Sequence, residues 1–183
     1  KIFVVDFNYY LAYYSITING IYFLLLIMSF YQVNRQFKTW KMKPKTMLFK
    51  NRMLPSISII APAFNEELTI IENVNSLLNL EYPDYELIII NDGSSDSTLE
   101  KIITYFDLKR VDLTYEFKLK TKQILGIYLN PSLPKLTVID KMNGGKADSL
   151  NAGINYSKKE YFCGIDADSV LERDALLKLS SLT

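Results

Sequence analysis

After residue 55, this sequence is dominated by short, almost entirely apolar runs, each closed by polar or turn-forming residues. The runs lie at residues 56–61, 86–90, 135–139 and 160–165. Runs of this length that are rich in β-branched residues are typical of buried strands. Because nearly every position in them is apolar, we expect these strands to be covered on both faces, as in a parallel sheet.

Helical patterns separate the predicted strands. In the first interval, apolar residues recur at helical spacing at Leu68, Ile71, Val74, Leu77 and Leu78. A second helix is predicted after Ser97 and a third over residues 146–156. This alternation predicts an α/β fold, in which helices cover both faces of an open, mostly parallel sheet. The segment 108–134 fits no period and is predicted to be an insertion.

Polar clusters follow each of the four predicted strands. They occupy residues 62–67, 91–96, 140–148 and 166–168. Ligands of open α/β sheets bind outside the carboxyl ends of the strands, where the loops begin. We therefore expect the four clusters to meet at one edge of the sheet and form a single site.

The pair Asp166 and Asp168 is a candidate metal ligand set. The chain has no histidine, so carboxylates must carry any metal or acid–base chemistry. Two close carboxylates repel each other unless a cation lies between them, and few oxygen ligands suit Mg2+ or Mn2+. The alternative is that Asp168 or Ser169 caps the following helix.

The other clusters also have two interpretations each. Asp92 can offer a carboxylate to a base N–H or a ribose hydroxyl, or can belong to a simple turn with Gly93. The residues 144–146, Gly-Gly-Lys, can lie along phosphates or start a helix. The residues 62–66 can place an aromatic ring and an acid beside a base, or form a capped helix entrance.

Taken together and in this order, the four clusters resemble the family 2 glycosyltransferases with the GT-A fold. The resemblance covers residues 55–182 and rests on Ala-Pro-Ala-Phe-Asn-Glu at 61–66, Asn-Asp-Gly-Ser-Ser-Asp at 91–96, Asn-Gly-Gly-Lys-Ala-Asp-Ser-Leu-Asn-Ala-Gly at 143–153 and Asp-Ala-Asp at 166–168. It is strongest for membrane members such as cellulose, hyaluronan and poly-N-acetylglucosamine synthases. The fold it implies is a Rossmann-like sheet preceded by a transmembrane helix.

The resemblance also implies roles for individual residues. Phe64 and Glu66 would flank a uracil, and Asp92 would contact the uridine. Lys146 would contact the nucleotide, and Asp166 would contact the donor. The implied substrate-binding set is therefore Pro62, Phe64, Glu66, Asp92, Lys146 and Asp166. Asp168 would hold the metal, Mg2+ or Mn2+, on the diphosphate.

The implied reaction is transfer of a sugar, with inversion, from a nucleotide-diphosphate sugar to a sugar or lipid-linked acceptor. A UDP-sugar is the favoured donor, and the similarity to polysaccharide synthases suggests UDP-N-acetylglucosamine. In such enzymes the carboxylate base and the Gln-x-x-Arg-Trp motif of processive members follow the Asp-x-Asp motif at a distance. We expect both after Thr183, so this piece is predicted to bind a donor without transferring sugar.

An uncharged stretch lies between Asp6 and Arg35. A bilayer-spanning helix needs about 20 apolar residues, so a transmembrane helix is predicted within residues 1–34. The segment 35–54 is basic and contains no acid, which predicts a cytoplasmic juxtamembrane linker of a cell (inner) membrane protein, with the domain 55–183 in the cytoplasm. A cleaved signal peptide and a buried helix are the alternatives, but in a signal peptide the positive charge precedes the apolar run.

Composition narrows the remaining functions. The 21 basic and 20 acidic residues nearly cancel, which gives no reason to expect a nucleic-acid partner. A dinucleotide oxidoreductase is set aside because the loop at 62–66 has no glycine. Two alternatives stay open: a nucleotidyltransferase, and a non-catalytic membrane-tethered protein that binds nucleotide sugars.

Overall fold

The computed structural model describes residues 2–42, 54–112, 118–169 and 171–180. The chain divides into two units, residues 1–50 and 51–183. In the first, helix α1 spans Ile2–Met42 and so continues past the predicted boundary at residue 34. Its Phe7–Arg35 stretch is long and apolar enough to cross a membrane, by length and composition. Residues 43–53 of the predicted basic linker lie outside the described residues.

The second unit is built on a six-stranded mixed sheet. Its strands are β1 (Ile57–Ala63), β2 (Tyr85–Asp92), β3 (Lys109–Val111), β4 (Ile124–Leu129), β5 (Leu136–Lys141) and β6 (Tyr161–Gly164), in the order β3-β4-β5-β2-β1-β6. The helices are α2 (Ile70–Leu78), α3 (Thr98–Tyr105), α4 (Lys146–Tyr156) and α5 (Ala175–Ser180).

The centre of the sheet is parallel, as the sequence predicts. Strand β1 pairs in parallel with β2 and β6, and β2 pairs in parallel with β5. Successive strand residues point to opposite faces, and the neighbours Ile59 and Ile60 are both fully buried. Both faces of the sheet are therefore covered, which explains why these strands are apolar at nearly every position.

Helix α4 packs closely on β1. A Cβ atom at Gly153 would lie 2.3 Å from Cγ2 of Ile60, a distance that no side chain tolerates. The core cluster around this contact joins Ile60, Ile88 and Ile90 to Ala152 and Tyr156 of the helix. The glycine thus lets the helix approach the sheet closely.

The segment 108–134, predicted to be an insertion that fits no period, contains two strands. Strand β4 pairs antiparallel with β5, and β3 pairs antiparallel with β4 at the outside of the sheet. The pairing of β4 with β5 shifts register between Ile124 and Gly126. A bulge breaks the two-residue alternation, and β3 is only three residues long, so neither strand shows a recognisable period.

The apolar pattern assigned to the first helix also needs a correction. Helix α2 begins at Ile70, and Leu68, which the pattern placed on the buried face, is 90% exposed. The face that packs on the core consists of Ile70, Val74 and Leu77. The turn that precedes the helix, closed by bonds from the Thr69 and Ile70 amides to the Glu66 carbonyl, carries Leu68 into solvent.

Strands β1, β2, β5 and β6 all run in the same direction, so their carboxyl ends lie along one edge of the sheet. We call this the carboxyl edge. The loops that leave it are residues 64–69, 93–97, 142–145 and 165–169. These loops hold the polar clusters that the sequence singled out.

Candidate functional site

The loops after β1 and β2 are joined by hydrogen bonds. The Asn65 amide donates to Ser94 Oγ at 3.0 Å, and the Ser95 amide donates to Asn65 Oδ1 at 2.8 Å. One residue further, the Glu66 amide donates to Thr98 Oγ1 at 2.8 Å. Asn65 has a positive φ of 55°, which amide side chains tolerate better than most. These bonds therefore hold the two loops together on one side of the carboxyl edge.

Asp96 adds further hydrogen bonds between the loops after β1 and β2. Its carboxylate accepts bonds from the Thr98 hydroxyl and amide on one oxygen and from the Glu67 amide on the other. Burial alone would raise the pKa of Asp96, but these hydrogen bonds outweigh it and hold the pKa below its ordinary value. Asp96 is thus a structural anion that fixes the loops, a role the sequence did not indicate.

Asp92 connects the loop after β2 to the loop after β5. It is only 4% exposed. Its Oδ1 accepts the Gly144 amide at 3.0 Å and its Oδ2 accepts the Gly145 amide at 2.7 Å. Burial raises the pKa of Asp92, but the bonds from Lys141, Gly144 and Gly145 outweigh that effect and leave the pKa lowered. Asp92 therefore belongs to more than a simple turn.

Lys141 is the buried residue that sequence reasoning missed. Its side chain is fully buried at the end of β5, and its ammonium lies 2.5 Å from Asp92 Oδ1 and 2.7 Å from Asp148 Oδ2. A lysine within an otherwise buried strand is a signal that could have found it, because buried charges are normally paired. The pair of aspartates around it lies on either side of the Gly144–Gly145 turn.

Lys146 connects the loop after β5 to the loop after β6. It is the first residue of α4, and its ammonium forms an ion pair with Asp166 Oδ1. Both side chains are more than half exposed, so the pair is open to a ligand. Gly145 precedes it with a φ of +84°, a backbone conformation that favours glycine. The Gly-Gly-Lys sequence is therefore a helix start that also presents an ammonium.

Glu66 faces the same place from the other side. Its Oε2 is buried and, among the described residues, has no hydrogen-bond partner. Burial raises the pKa of Glu66, and the negative charges of Asp168, Asp166 and Asp96 raise it further. Glu66, Asp166 and Asp168 therefore form an electrostatically strained group of acids that a cation or a proton would stabilise.

Asp168 does not cap a helix. Helix α5 begins at Ala175, and the turn after β6 is closed instead by a bond from the Ser169 amide to the Asp166 carbonyl at 3.0 Å. Asp166 and Asp168 are exposed on either side of the buried Ala167. Both carboxylates are therefore accessible to solvent and to a ligand.

These acids fit a cation that takes few ligands from the protein. In the described ranges no three acidic, cysteine or histidine side chains lie close enough to hold a metal by themselves. Mg2+ and Mn2+ are commonly bound through one or two carboxylates, with water and phosphate oxygens completing the coordination. The exposed Asp168 suits that mode of binding, and the charges of Asp166 and Glu66 add negative potential nearby.

Pro62 and Phe64 flank the opening of the site. Pro62 is partly buried within β1, whereas the ring of Phe64 is 50% exposed in the loop that follows. The predicted residues thus lie on strand ends or loops of the carboxyl edge, with Lys146 at the start of α4. Their individual roles toward a ligand stay predictions.

An extended segment, residues 118–122, lies along helix α4. Asn155 Oδ1 accepts the Lys118 and Leu119 amides at 3.1 and 2.8 Å, and its Nδ2 donates to the Leu119 carbonyl. One end of the segment reaches the site, because both oxygens of Asp148 accept the Lys122 amide at 3.0 and 3.1 Å. The part of the chain predicted to be an insertion therefore supports the loop after β5.

An open α/β sheet with acids and a lysine at the carboxyl ends of its parallel strands belongs to the class of α/β proteins that bind their ligands at that edge. The family described as Glycosyl transferase family 2 matches residues 58–181. The chain belongs to this glycosyltransferase family.

Relatives and solved structures agree with this assignment. The chain is 32% identical over 163 residues to the poly-beta-1,6-N-acetyl-D-glucosamine synthase of Staphylococcus epidermidis, covering 86% of this chain and 34% of that relative. It therefore spans about a third of that relative's length.

Two solved structures share the fold. S. aureus TarS 1–349 is 22% identical, with a TM-score of 0.50 over 69% of this chain and 31% of TarS. The mannosyltransferase PcManGT from Pyrobaculum calidifontis, in complex with GDP-Man and Mn2+, is 21% identical, with a TM-score of 0.51 over 76% of this chain and 35% of PcManGT. The GT-A fold expected from the sequence is confirmed.

Proposed function

We propose that this chain is the donor-binding part of an inverting glycosyltransferase that uses a nucleotide-diphosphate sugar to build a polysaccharide or glycolipid. One observation carries the proposal: the Lys146 ammonium and the Asp166 carboxylate pair openly at the carboxyl edge, facing the strained acid Glu66. Such an arrangement offers positive charge to phosphates and negative charge to a cation in one place.

Lys146 is proposed to bind the diphosphate. It stands at the amino end of α4, where free backbone N–H groups and the helix dipole favour anions. Its present partner Asp166 is exposed, so a diphosphate can take over the ammonium while Asp166 turns to the donor sugar. Lys146 would then stabilise the charge that develops on the leaving diphosphate.

Asp168 is proposed to hold a divalent cation, Mg2+ or Mn2+, on the diphosphate. When bound, that cation would offset the negative charge of the leaving group. The negative charges of Asp168 and Asp166 lie close enough to Glu66 to raise its pKa. Their mutual repulsion supports a cation at this position.

Phe64, Pro62, Glu66 and Asp92 are proposed to bind the nucleoside. The exposed Phe64 ring offers a stacking surface beside the partly buried Pro62. Asp92 is proposed to contact the uridine from the end of β2, beside the loop after β5 whose Gly144 and Gly145 amides donate to its carboxylate.

The favoured donor is a UDP-sugar, and UDP-N-acetylglucosamine in particular. The proposal draws on the Staphylococcus epidermidis relative, whose name specifies synthesis of an N-acetyl-D-glucosamine polymer. TarS has been solved with UDP, and the mannosyltransferase with GDP-Man, so both nucleotides belong in the test. The acceptor is proposed to be a sugar or a lipid-linked sugar.

The proposed reaction is an in-line displacement. An acceptor hydroxyl attacks the anomeric carbon and loses its proton to a carboxylate base, while the bond to the diphosphate breaks and the configuration inverts. The described residues are proposed to bind and orient the donor, and no base is assigned among them. Helix α1 is proposed to anchor the protein in the cell (inner) membrane, with basic residues after it keeping the domain cytoplasmic.

Calorimetry on the full 183-residue chain in detergent micelles tests the proposal. The titrants are UDP and GDP, each with and without Mn2+. We expect UDP to bind more tightly than GDP, binding to weaken without Mn2+, and Asp168→Ala to lose the Mn2+-dependent part. Asp84→Ala is the matched control, because Asp84 is an exposed acid that precedes β2 at the opposite edge.

Two results would contradict the proposal: no Mn2+-dependent binding of either nucleotide, or an equal loss in Asp168→Ala and Asp84→Ala. Addition of UDP-N-acetylglucosamine and an acceptor oligosaccharide separates an enzyme from a non-catalytic binding protein. A nucleotidyltransferase would instead release diphosphate from a nucleoside triphosphate.

A further inference from the structure

We propose that Lys141 is a positioning residue of the donor site, which acts through Asp92 and Asp148 to fix the Gly144–Gly145 turn. The inference rests on the proposed function, because it concerns how the same site is held ready for a nucleotide sugar. Lys141 itself lies beneath the site and has no exposed surface.

The ammonium of Lys141 is fully used. It donates to Asp92 Oδ1 at 2.5 Å and to the Met142 carbonyl at 2.8 Å, and it forms an ion pair with Asp148 Oδ2 at 2.7 Å. A lysine ammonium has three N–H donors, so these three acceptors satisfy it. The side chain is therefore held in one orientation, with an aspartate on each side.

Both aspartates pass this constraint on to the backbone. Asp92 accepts the Gly144 and Gly145 amides, and Asp148 accepts the Lys122 amide. Through one buried ammonium, the end of β2, the turn before α4 and the 118–122 segment become a single hydrogen-bonded network. Cooperative networks of this kind hold a geometry better than their separate bonds would.

Gly144, the first residue of the turn, is closely packed within this network. A Cβ atom at Gly144 would lie 2.6 Å from Asp148 Oδ2 and 2.9 Å from Lys122 Cγ. Gly144 is thus packed against Asp148 and Lys122 while its amide bonds to Asp92 on another side. Because Lys146 follows this turn directly, a shift of either aspartate would move the ammonium proposed to bind the diphosphate.

Loss of the Lys141 charge would leave the buried Asp92 carboxylate and the partly exposed Asp148 carboxylate close together without a cation. Like charges at this distance repel, and the penalty is greatest for the buried Asp92. We expect the two aspartates to separate and the turn between them to lose its fixed position. The aliphatic volume of Lys141 is not what matters in this account, so a methionine of similar length is the informative replacement.

The first experiment measures UDP binding with Mn2+ by calorimetry, on the full chain in detergent micelles. Lys141→Met should weaken binding by about ten-fold or more, as changes to supporting residues around a site commonly do. Lys159→Met is the matched control, since it removes a Lys–Asp pair at the opposite edge and should stay within about two-fold. The double variant Lys141→Met/Asp148→Asn should bind UDP about three-fold or more tightly than Lys141→Met alone, because it removes one of the two repelling charges.

The second experiment does not depend on nucleotide binding. Amide hydrogen exchange is measured by NMR at Gly144 and Gly145 in the nucleotide-free chain. Lys141→Met should speed exchange at both amides by about ten-fold, while the buried strand amides of Ile60 and Ile89 stay protected. Lys159→Met should leave all four unchanged.

The outcomes separate the two claims. If wild type binds neither UDP nor GDP with Mn2+, the proposed function fails, and the inference about Lys141 is decided by the exchange data. If wild type binds UDP but Lys141→Met binds within about two-fold of it, or exchange at Gly144 and Gly145 is unchanged, the positioning role is overturned. Should Lys141→Met not fold, the comparison of Asp148→Asn with wild type in both experiments decides the matter, with loosened glycine amides and weaker binding expected.

Discussion

At the scale of single residues, the acids of the carboxyl edge differ in how their charge is balanced. Asp92 and Asp96 are surrounded by hydrogen-bond donors, which lower their pKa values despite burial. Glu66 has an unpartnered buried oxygen among the described residues and other acids nearby, which raise its pKa. The first two hold the loops in place, and the third is the one that gains most from a ligand or a proton.

Glu66 yields a prediction about stability and pH. Because the pKa of Glu66 is raised in the folded state, its charged form destabilises the fold above that pKa, and the penalty vanishes below the unfolded value of about 4.3. Glu66→Gln should therefore raise Tm by about 1–3 °C at pH 7 and by nothing at pH 3.5. Thermal unfolding by circular dichroism measures this.

The control is Glu100→Gln on the exposed side of α3, which should leave Tm unchanged at both values of pH. A Glu66→Gln protein that is less stable than wild type at pH 7 would contradict the account. The same variant should bind UDP and Mn2+ more weakly, since stability and function are opposed at strained sites.

At the scale of elements, the sequence predicts the strands whose apolar pattern is regular. It does not predict the strands whose pattern is broken by a bulge or by their short length. The strands β1, β2, β5 and β6 were predictable because double-sided burial makes them continuously apolar. The same logic placed the polar clusters at one edge. Strands β3 and β4 were not predictable, because a bulge and an exposed position hide their alternation.

The network around Lys141 shows the limit for the site. Asp92, Lys146 and Asp166 could be singled out from motifs, but the partner of a buried lysine depends on which strands are neighbours. Strands β2 and β5 are adjacent although the segment containing β3 and β4 separates them in the chain. No sequence pattern shows that β2 and β5 are neighbours, so the partners of Lys141 could not be identified until the fold was known.

The attachment of the 118–122 segment to α4 gives a prediction at this scale. Asn155 makes three bonds to the segment and is 6% exposed, whereas Asn151 makes one long bond of 3.5 Å to the Lys120 carbonyl. Asn155→Ala should lower the free energy of unfolding by about 1–3 kcal/mol and expose the segment to exchange. Asn151→Ala, the matched control, should cost less than about 0.5 kcal/mol.

Urea unfolding measures these free energies, and hydrogen exchange at Lys118 and Leu119 locates the effect. Equal losses in the two variants would show that Asn155 does not hold the segment. Unchanged exchange at Lys118 and Leu119 in Asn155→Ala would show the same.

At the scale of the whole molecule, the chain combines an apolar helix with a globular α/β unit. The Phe7–Arg35 stretch is long and apolar enough to cross a membrane by length and composition, and its large apolar side chains are exposed. The side chains there are apolar and exposed, so they need a nonaqueous environment or another apolar surface. The proposed membrane anchor supplies one.

Membrane retention tests the anchor. When the chain is expressed in bacteria, the wild type should remain in the membrane fraction after alkaline carbonate extraction. Leu24→Arg combined with Leu25→Arg should release much of it, because each charge near the bilayer centre costs about 2.5–3.5 kcal/mol. Leu68→Arg changes a leucine that is 90% exposed on the globular unit and should be retained like wild type.

Retention of the double variant, or release of the wild type, would contradict a spanning helix. Release of Leu68→Arg as well as the double variant would show that the globular unit, and not α1 alone, contributes to retention.

The central claim is that four loops of one sheet edge form a single donor site. Hydrogen exchange with and without UDP and Mn2+ tests it most directly. The account predicts simultaneous protection of residues 64–66, 92–93, 143–146 and 166–168, with no change at Asp84 and Lys159 on the opposite edge. Protection confined to one of these loops, or located at the opposite edge, would contradict it.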